Sequence, residues 1–571
     1  CRTVKGMLGL WKNESIKIFR PVANKIILII AVLLIAVPPC FTYIISRSEN
    51  GGYDEYYYVP DDDADAEVKV YFYAERDTRD FFRDNEISQN SWRYSRYCGS
   101  YRDLKMKQYA CEEVTSGRTD AQTVASLFGW LFETPSETDV YTEDGMLHDG
   151  PAAVSPSYEE ITADDIDFAK ELEKAKADLA ELEYNITEQS VKEYALSRAD
   201  SAKKTLEAAK LQRAEASANY GDGKNSAYLG AFNRAKADVE IAEYQISAYK
   251  AFAEADKDEE DWMFSEIEGC LPMVFSTLRE SCVEDEKTFI SEDYGDRTYE
   301  QYKRECEKTQ SRAREAAITV QYSLDNKIPL SDYVQNSTKS TVYGSLGTAA
   351  AITVIVMIII TVTLIAGEYS NGTIRLLLIR PKTRAKIIIS KFLALMTCAI
   401  LISIVGFVLV YGISIALFGV SDAFVPELMY SSGVIEVPAL VYGALKLILP
   451  LFSGMFIISI AFMMATVTEK IAVAAVLPFI VDMFSGVVQT IALSLIEKFS
   501  FLRFTVLPYL NLGNLLVSPI DRFIYRPMIF SPDAAVYSDI SLLAGVIIIA
   551  LHTLAMYIIA LAVFRKKEIK S

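Results

Sequence analysis

Six apolar runs, each at least as long as the roughly 20 residues a helix needs to cross a bilayer, limit this chain to a membrane protein built on helices. They are 23–45, 345–366, 392–417, 442–467, 471–494 and 541–564. Their flanks agree on one orientation. Lys12, Lys17, Arg20 and Lys25 precede or open the first run, Arg565, Lys566 and Lys567 follow the last, and six Lys and Arg residues lie between the second and third. Basic residues concentrate on the cytoplasmic side, so both termini and residues 367–391 are expected there. The turn 468–470 falls on the same side. Residues 421–440, with Asp422, Glu427 and Glu436, fall outside; 495–540 reads as extracytoplasmic or re-entrant. The first run, with Pro38-Pro39 near its outer end and no small-residue cleavage site, reads as an uncleaved anchor. Cys1 precedes a basic amphipathic segment expected inside, so Met7 is the expected initiator rather than a lipidated cysteine.

A 51% hydrophobic chain with a net charge of −18 is contradictory for one soluble body. The charges separate along the sequence. Residues 48–340 hold 63 acidic and 34 basic residues, a balance of −29, which leaves +11 for the rest. An acidic domain, residues 46–344, is thus inserted into a basic membrane protein. The lack of a concentrated basic face on it excludes nucleic acid as a partner.

Within the insertion, Tyr228, Phe232, Ala235, Val239, Ala242, Ile246, Tyr249 and Ala253 step by four and three, the seam of a coiled coil. Upstream, Leu172, Leu179 and Ile186 step by seven, and Gly221-Asp222-Gly223 between the two patterns permits a reversal. An antiparallel helical hairpin over 158–257 is predicted. Val68, Val70 and Phe72 alternate with polar residues and predict a short strand. Residues 51–65 are acidic and Tyr-rich, and 133–157 read as a linker or loop.

Gly221-Asp222-Gly223-Lys224 is not a phosphate loop, because Asn225 stands where a Ser or Thr would hold the metal. Asp61-Asp62-Asp63 reads as a solvated charge run rather than a calcium loop. His148 and His552 are the only histidines, and Cys98, Cys111, Cys270, Cys282 and Cys306 show no zinc spacing, so no metal site is expected. Asp482 and His552 fall near the midpoints of the fifth and sixth runs, where ionisable groups are costly; a hydrogen bond between them is predicted. Residues 1–22, with Leu8, Leu10, Trp11, Ile16, Ile18 and Phe19 among Lys12, Lys17 and Arg20, suit a helix in the membrane interface, its charges among lipid headgroups.

The segment 368–391 reads EYSNGTIRLLLIRPKTRAKIIISK. Glu368 ends a span with a charge that resists lipid, Gly372 permits a turn, and Pro381 stops a helix. The order Glu368, Gly372-Thr373, Pro381, Arg384, Lys391 resembles the signature of ABC type-2 transporter permeases, over about residues 340–566 and the first 45. The resemblance implies an all-α membrane fold of six spans and no catalysis or bound cofactor in this chain. It also implies a separate ABC ATPase carrying ATP and magnesium, a second permease subunit in a homo- or heterodimer, and a bacterial cell membrane. Glu368, Gly372, Thr373, Arg375, Arg380, Pro381 and Arg384 are then the expected ATPase-coupling residues. The architecture also resembles the phage-infection-protein family, for which a receptor or scaffold is the expected role.

Overall fold

The computed structural model describes residues 2–51, 64–89, 91–132, 163, 166–221, 223–257, 259–291, 298–330, 337–371, 384–496, 499–516, 518–520 and 540–566. The expected linker at 133–157, the acidic run Asp61-Asp62-Asp63 and the residues Gly372, Thr373, Arg375, Arg380 and Pro381 lie outside these. The chain divides into two units: residues 54–201 with 249–265, and all the rest.

The smaller unit is helical. It contains α3 (Ala66–Asp84), α4 (Trp92–Thr115), α5 (Ala121–Phe128), α6 (Phe168–Glu188), the start of α7 (Val191–Tyr220), the end of α8 (Leu229–Phe252) and α9 (Glu260–Ser265). The strand predicted around Val68, Val70 and Phe72 is instead the first turn and a half of α3. The longer pattern explains why: Val70, Ala74, Thr78 and Phe82 recur every four residues and are buried, a helical period that overrides the short alternation. Val70, Ala74, Met106, Ala110, Cys111, Val124, Phe128 and Phe168 form one core cluster. Trp92 centres an aromatic group with Tyr194, Phe252 and Phe264. The upstream arm of the expected hairpin is broken at Gln189–Ser190 into α6 and α7. Leu172, part of its step of seven, packs on the cluster of α3 and α4.

In the larger unit, α7 ends at Tyr220, and Gly221 (φ 55°) and Gly223 (φ 89°) adopt the left-handed backbone that glycine tolerates. Tyr220 then stacks on Phe232 with ring centroids 5.3 Å apart. A π-helical stretch, Glu266–Cys270, leads into α10 (Leu271–Glu280), α11 (Glu286–Ser291) and α12 (Tyr299–Asn326). Thr298 and Gln301 close a capping box at the start of α12.

The membrane-length helices of this unit are α2 (Val22–Gly51), α13 (Thr338–Ser370), α14 (Arg384–Phe418), α15 (Ala439–Thr468) and α18 (Leu542–Lys566). Two further apolar helices, α16 (Ile471–Met483) and α17 (Ser485–Ser494), are long enough together to cross a membrane but meet at 51°, as in a broken span or a re-entrant loop. Pro478 and the Ser485-Gly486 pair weaken the helix around that point. A hairpin of β1 (Glu427–Tyr430) and β2 (Val434–Val437), with Leu428 opposite Glu436, joins α14 to α15. The central helix is α13, which packs on α2, α14, α15 and α16 and buries most of its apolar length. It approaches α15 so closely that a Cβ on Gly454 would lie 2.2 Å from Val354. Lipid offers no hydrophobic gain for helix association, so such close packing has to supply it. Most of the apolar stretch of α2 and of α18 stays uncovered, a surface suited to lipid. Among the described residues between α17 and α18, three 3₁₀ turns pack inward; Ser453 accepts from the Leu512 amide, and buried Gln489 donates to the Pro508 and Asn511 carbonyls. Non-helical backbone near membrane depth is tolerated when protein satisfies it in this way.

Candidate coupling site

The helix α1 (Arg2–Phe19) carries Leu10, Glu14 and Ile18 on one buried face at a spacing of four. That face lies against α14. Trp11 Nε1 donates to Thr397 Oγ1 at 3.1 Å, and Asn24 Nδ2 donates to the Ile18 carbonyl at 3.0 Å, fixing the bend into α2. The two apolar anchors bring Glu14 under the membrane helices, where it is only 3% exposed.

There it enters a closed ring of four charges. Lys17 Nζ lies 3.0 Å from Glu14 Oε1 and 2.6 Å from Glu368 Oε1; Lys391 Nζ lies 3.0 Å from Glu14 Oε2 and 2.8 Å from Glu368 Oε1. Each carboxylate touches both ammonium groups. Lys391, 1% exposed, also reaches the Leu364 carbonyl at 3.4 Å. Two positive and two negative charges cancel, which is the condition for keeping such groups out of water. Burial alone would raise the Glu14 carboxyl, but the charges of Lys391 and then Lys17 outweigh it and hold it below the usual carboxylate range. Burial would likewise lower Lys17, yet its bond to Glu368 and the charges of Glu368 and Glu14 hold it above its ordinary value.

The ring joins three elements: α1, the last turn of α13 and the first turns of α14. Moving any one past the others separates buried opposite charges. Arg384, at the start of α14, donates from Nη1 to the Arg565 carbonyl at 3.0 Å, adding the end of α18 to the same side. Of the expected coupling residues, Glu368 and Arg384 are therefore placed at helix ends beside this cluster. Lys17, read from sequence as a headgroup contact, spends its charge on Glu368 instead. Glu14 was missed; an acid on an otherwise basic amphipathic helix, three residues before Lys17, is the signal that could have found it.

Asp482 and His552 are not hydrogen-bonded to one another. His552 Nδ1 lies 2.8 Å from the Ile548 carbonyl of its own helix, and its ring meets Phe456 edge-on. The reason is the order of packing: α16 lies on α13 and α15, whereas α18 lies on α14 and α15. Neighbours in sequence are here separated by α15. Among the described residues no His, Cys, Asp and Glu group could hold a metal ion, and Cys98, Cys111, Cys270, Cys282 and Cys306 are not joined in disulfides.

The family model described as ABC-2 family transporter protein matches residues 187–569. It covers α13 to α18 and also reaches upstream through α7 to α12, beyond the segment that carries the resemblance in sequence; it does not include α1. No curated protein and no solved structure matches the chain. The match spans well over half of the sequence and coincides with the membrane-length helices around α13: this chain belongs to the ABC-2 transporter family, the integral membrane permeases of ABC transporters.

Proposed function

We propose that this chain is the permease half of an exporter driven by a separate ABC ATPase, and that the ring of Glu14, Lys17, Glu368 and Lys391 carries the ATPase's movement into the membrane. The observation that supports this most is the ring itself, because it ties α1, α13 and α14 together at both ends of the 367–391 loop. A push on that loop would reach the central helix α13 and the interfacial helix α1 as one body. The loop, α1 and the C-terminus are cytoplasmic in this reading, as their basic charge requires. The ATP and magnesium belong to the partner, and a second permease subunit completes the pathway.

Leu377→Pro tests the proposal, since a proline in the middle of the 367–391 loop removes a backbone N–H donor and fixes φ on the segment that the ATPase would push. The tagged chain and its variant are purified from membranes with whatever ABC ATPase accompanies them. Loss of the ATPase from the variant, with unchanged membrane insertion, is the expected result. An ATPase retained at the wild-type level and turning over ATP normally would remove the loop from the coupling path, and no ATPase with the wild type would remove the exporter reading.

A further inference from the structure

Glu266 opens the π-helical stretch, a departure from α-helix that recurs at functional sites, and it is completely buried. Its Oε1 accepts from the Leu330 amide at 2.8 Å. Its Oε2 lies 2.6 Å from Ser323 Oγ, and that same hydroxyl lies 2.7 Å from the Ile328 carbonyl oxygen. The proton count decides the charge state. A hydroxyl has one hydrogen, a carbonyl only accepts, and an ionised carboxylate only accepts. If Ser323 donates to Ile328, the contact with Glu266 exists only if Glu266 donates. An ionised Glu266 would leave one of the two contacts as oxygen facing oxygen.

The charges around the site do not reverse this. Lys339, at the start of α13, is the charged group that acts on Glu266, but its ammonium is already bound at 3.0 Å to Glu427 of β1 and at 3.0 Å to the Pro426 carbonyl. On α12 and the turn after it, Asp325 and Lys327 are exposed, and on α10 Arg279 pairs with Asp238. Glu268, on the same π-helical stretch, is half-buried. Burial pushes the Glu266 carboxyl up to about 8, against the smaller pull of the Leu330 amide, Ser323 and Lys339.

We propose that Glu266 is a proton latch: as a neutral acid it donates to Ser323 and closes the Ser323–Ile328–Leu330 turn that ends α12, and release of its proton to solvent opens that turn. The turn lies seven residues before Ser337, the cap of the central helix α13. The proposal does not depend on the ATPase reading.

The sign follows from the two states. With the turn open, Glu266 ionises near the ordinary 4.5; closed, near 8. Opening therefore releases a proton between those values, and the opening equilibrium rises by up to about tenfold per pH unit across that window and levels off above it. The experiment is hydrogen exchange of the Ile328 and Leu330 amides in the full chain in lipid nanodiscs, from about pH 5 to about pH 9, corrected for intrinsic base catalysis. Corrected exchange should rise and level off in the wild type and stay flat in Glu266→Gln, whose amide supplies the same acceptor and a donor. In parallel, infrared spectra at neutral pH should contain a protonated-carboxyl band that Glu266→Gln removes. If that variant does not fold, Ser323→Ala should shift the band, because its acceptor is gone. A flat wild-type profile, or no such band at neutral pH, overturns the proposal.

Discussion

The two ends of the central helix α13 are both pinned by buried charge, but in different ways. At the Lys339 end one ammonium meets one carboxylate, with lysine and glutamate side chains 4% and 2% exposed. A backbone carbonyl completes the lysine's shell, and Asp422 accepts from the Lys339 amide at 2.8 Å. At the Glu368 end four charges share the work among three helices, and one of them, Lys17, keeps 40% of its side chain exposed. A sealed pair with both side chains out of water has little room to move, so it behaves as a fixed pivot. A shared ring open to solvent at one corner can exchange partners as the helices shift. Under the proposed coupling, the Glu368 end is the one from which movement would enter.

The comparison is broken most severely at the pivot. Lys339→Met should leave the Glu427 carboxylate buried without its countercharge, at a cost of roughly 3–5 kcal/mol. Chemical unfolding of the purified protein measures it, and a loss no larger than that of Lys391→Met would erase the distinction between the ends. Lys391→Met should cost less, about 1–3 kcal/mol, because Lys17 remains to face both carboxylates. Lys17→Met removes the half-exposed corner and should change stability by no more than about 1 kcal/mol, while its effect on coupling is large. Between about pH 5 and about pH 9 Glu14 and Lys17 should keep their charges. Glu14, held below 4.5, contributes stability that is present above that value and lost as pH falls through its lowered pKa. Lys17, held above 10.5, contributes stability that is lost only as pH rises past that value. The loss of stability that Glu266 contributes as pH rises between about 4.5 and about 8 should therefore vanish in Glu266→Gln and persist in Glu14→Gln.

Much of this was legible in the sequence, for reasons that can be named. Apolar length and flanking charge are local properties, so the five membrane-length helices and the apolar run that becomes the bent pair α16–α17 were visible, as were Glu368 and Lys391 at the ends that carry the ring. The ring's other half was not, because Glu14 and Lys391 are 377 positions apart and only packing makes them neighbours. The same blindness to packing order led to the Asp482–His552 pairing, which α15 prevents. At Val68–Phe72 a period of two over five residues was outvoted by a period of four over thirteen. The β-hairpin at 427–437 carries strand signals too short to stand out beside membrane spans. Glu266 left no mark in the sequence, since its proton is dictated by a serine 57 residues away.

The central claim is that the ring transmits movement between the ATPase and the spans, and one measurement addresses it directly. The wild type, Lys17→Met, Glu368→Gln and the double variant are each purified with the ATPase in nanodiscs, and ATP turnover is compared with that of the isolated ATPase. The account predicts that all four bind the ATPase, that the permease alters turnover only in the wild type, and that the double variant is no worse than either single one. A double variant that regulates turnover as the wild type does would contradict it.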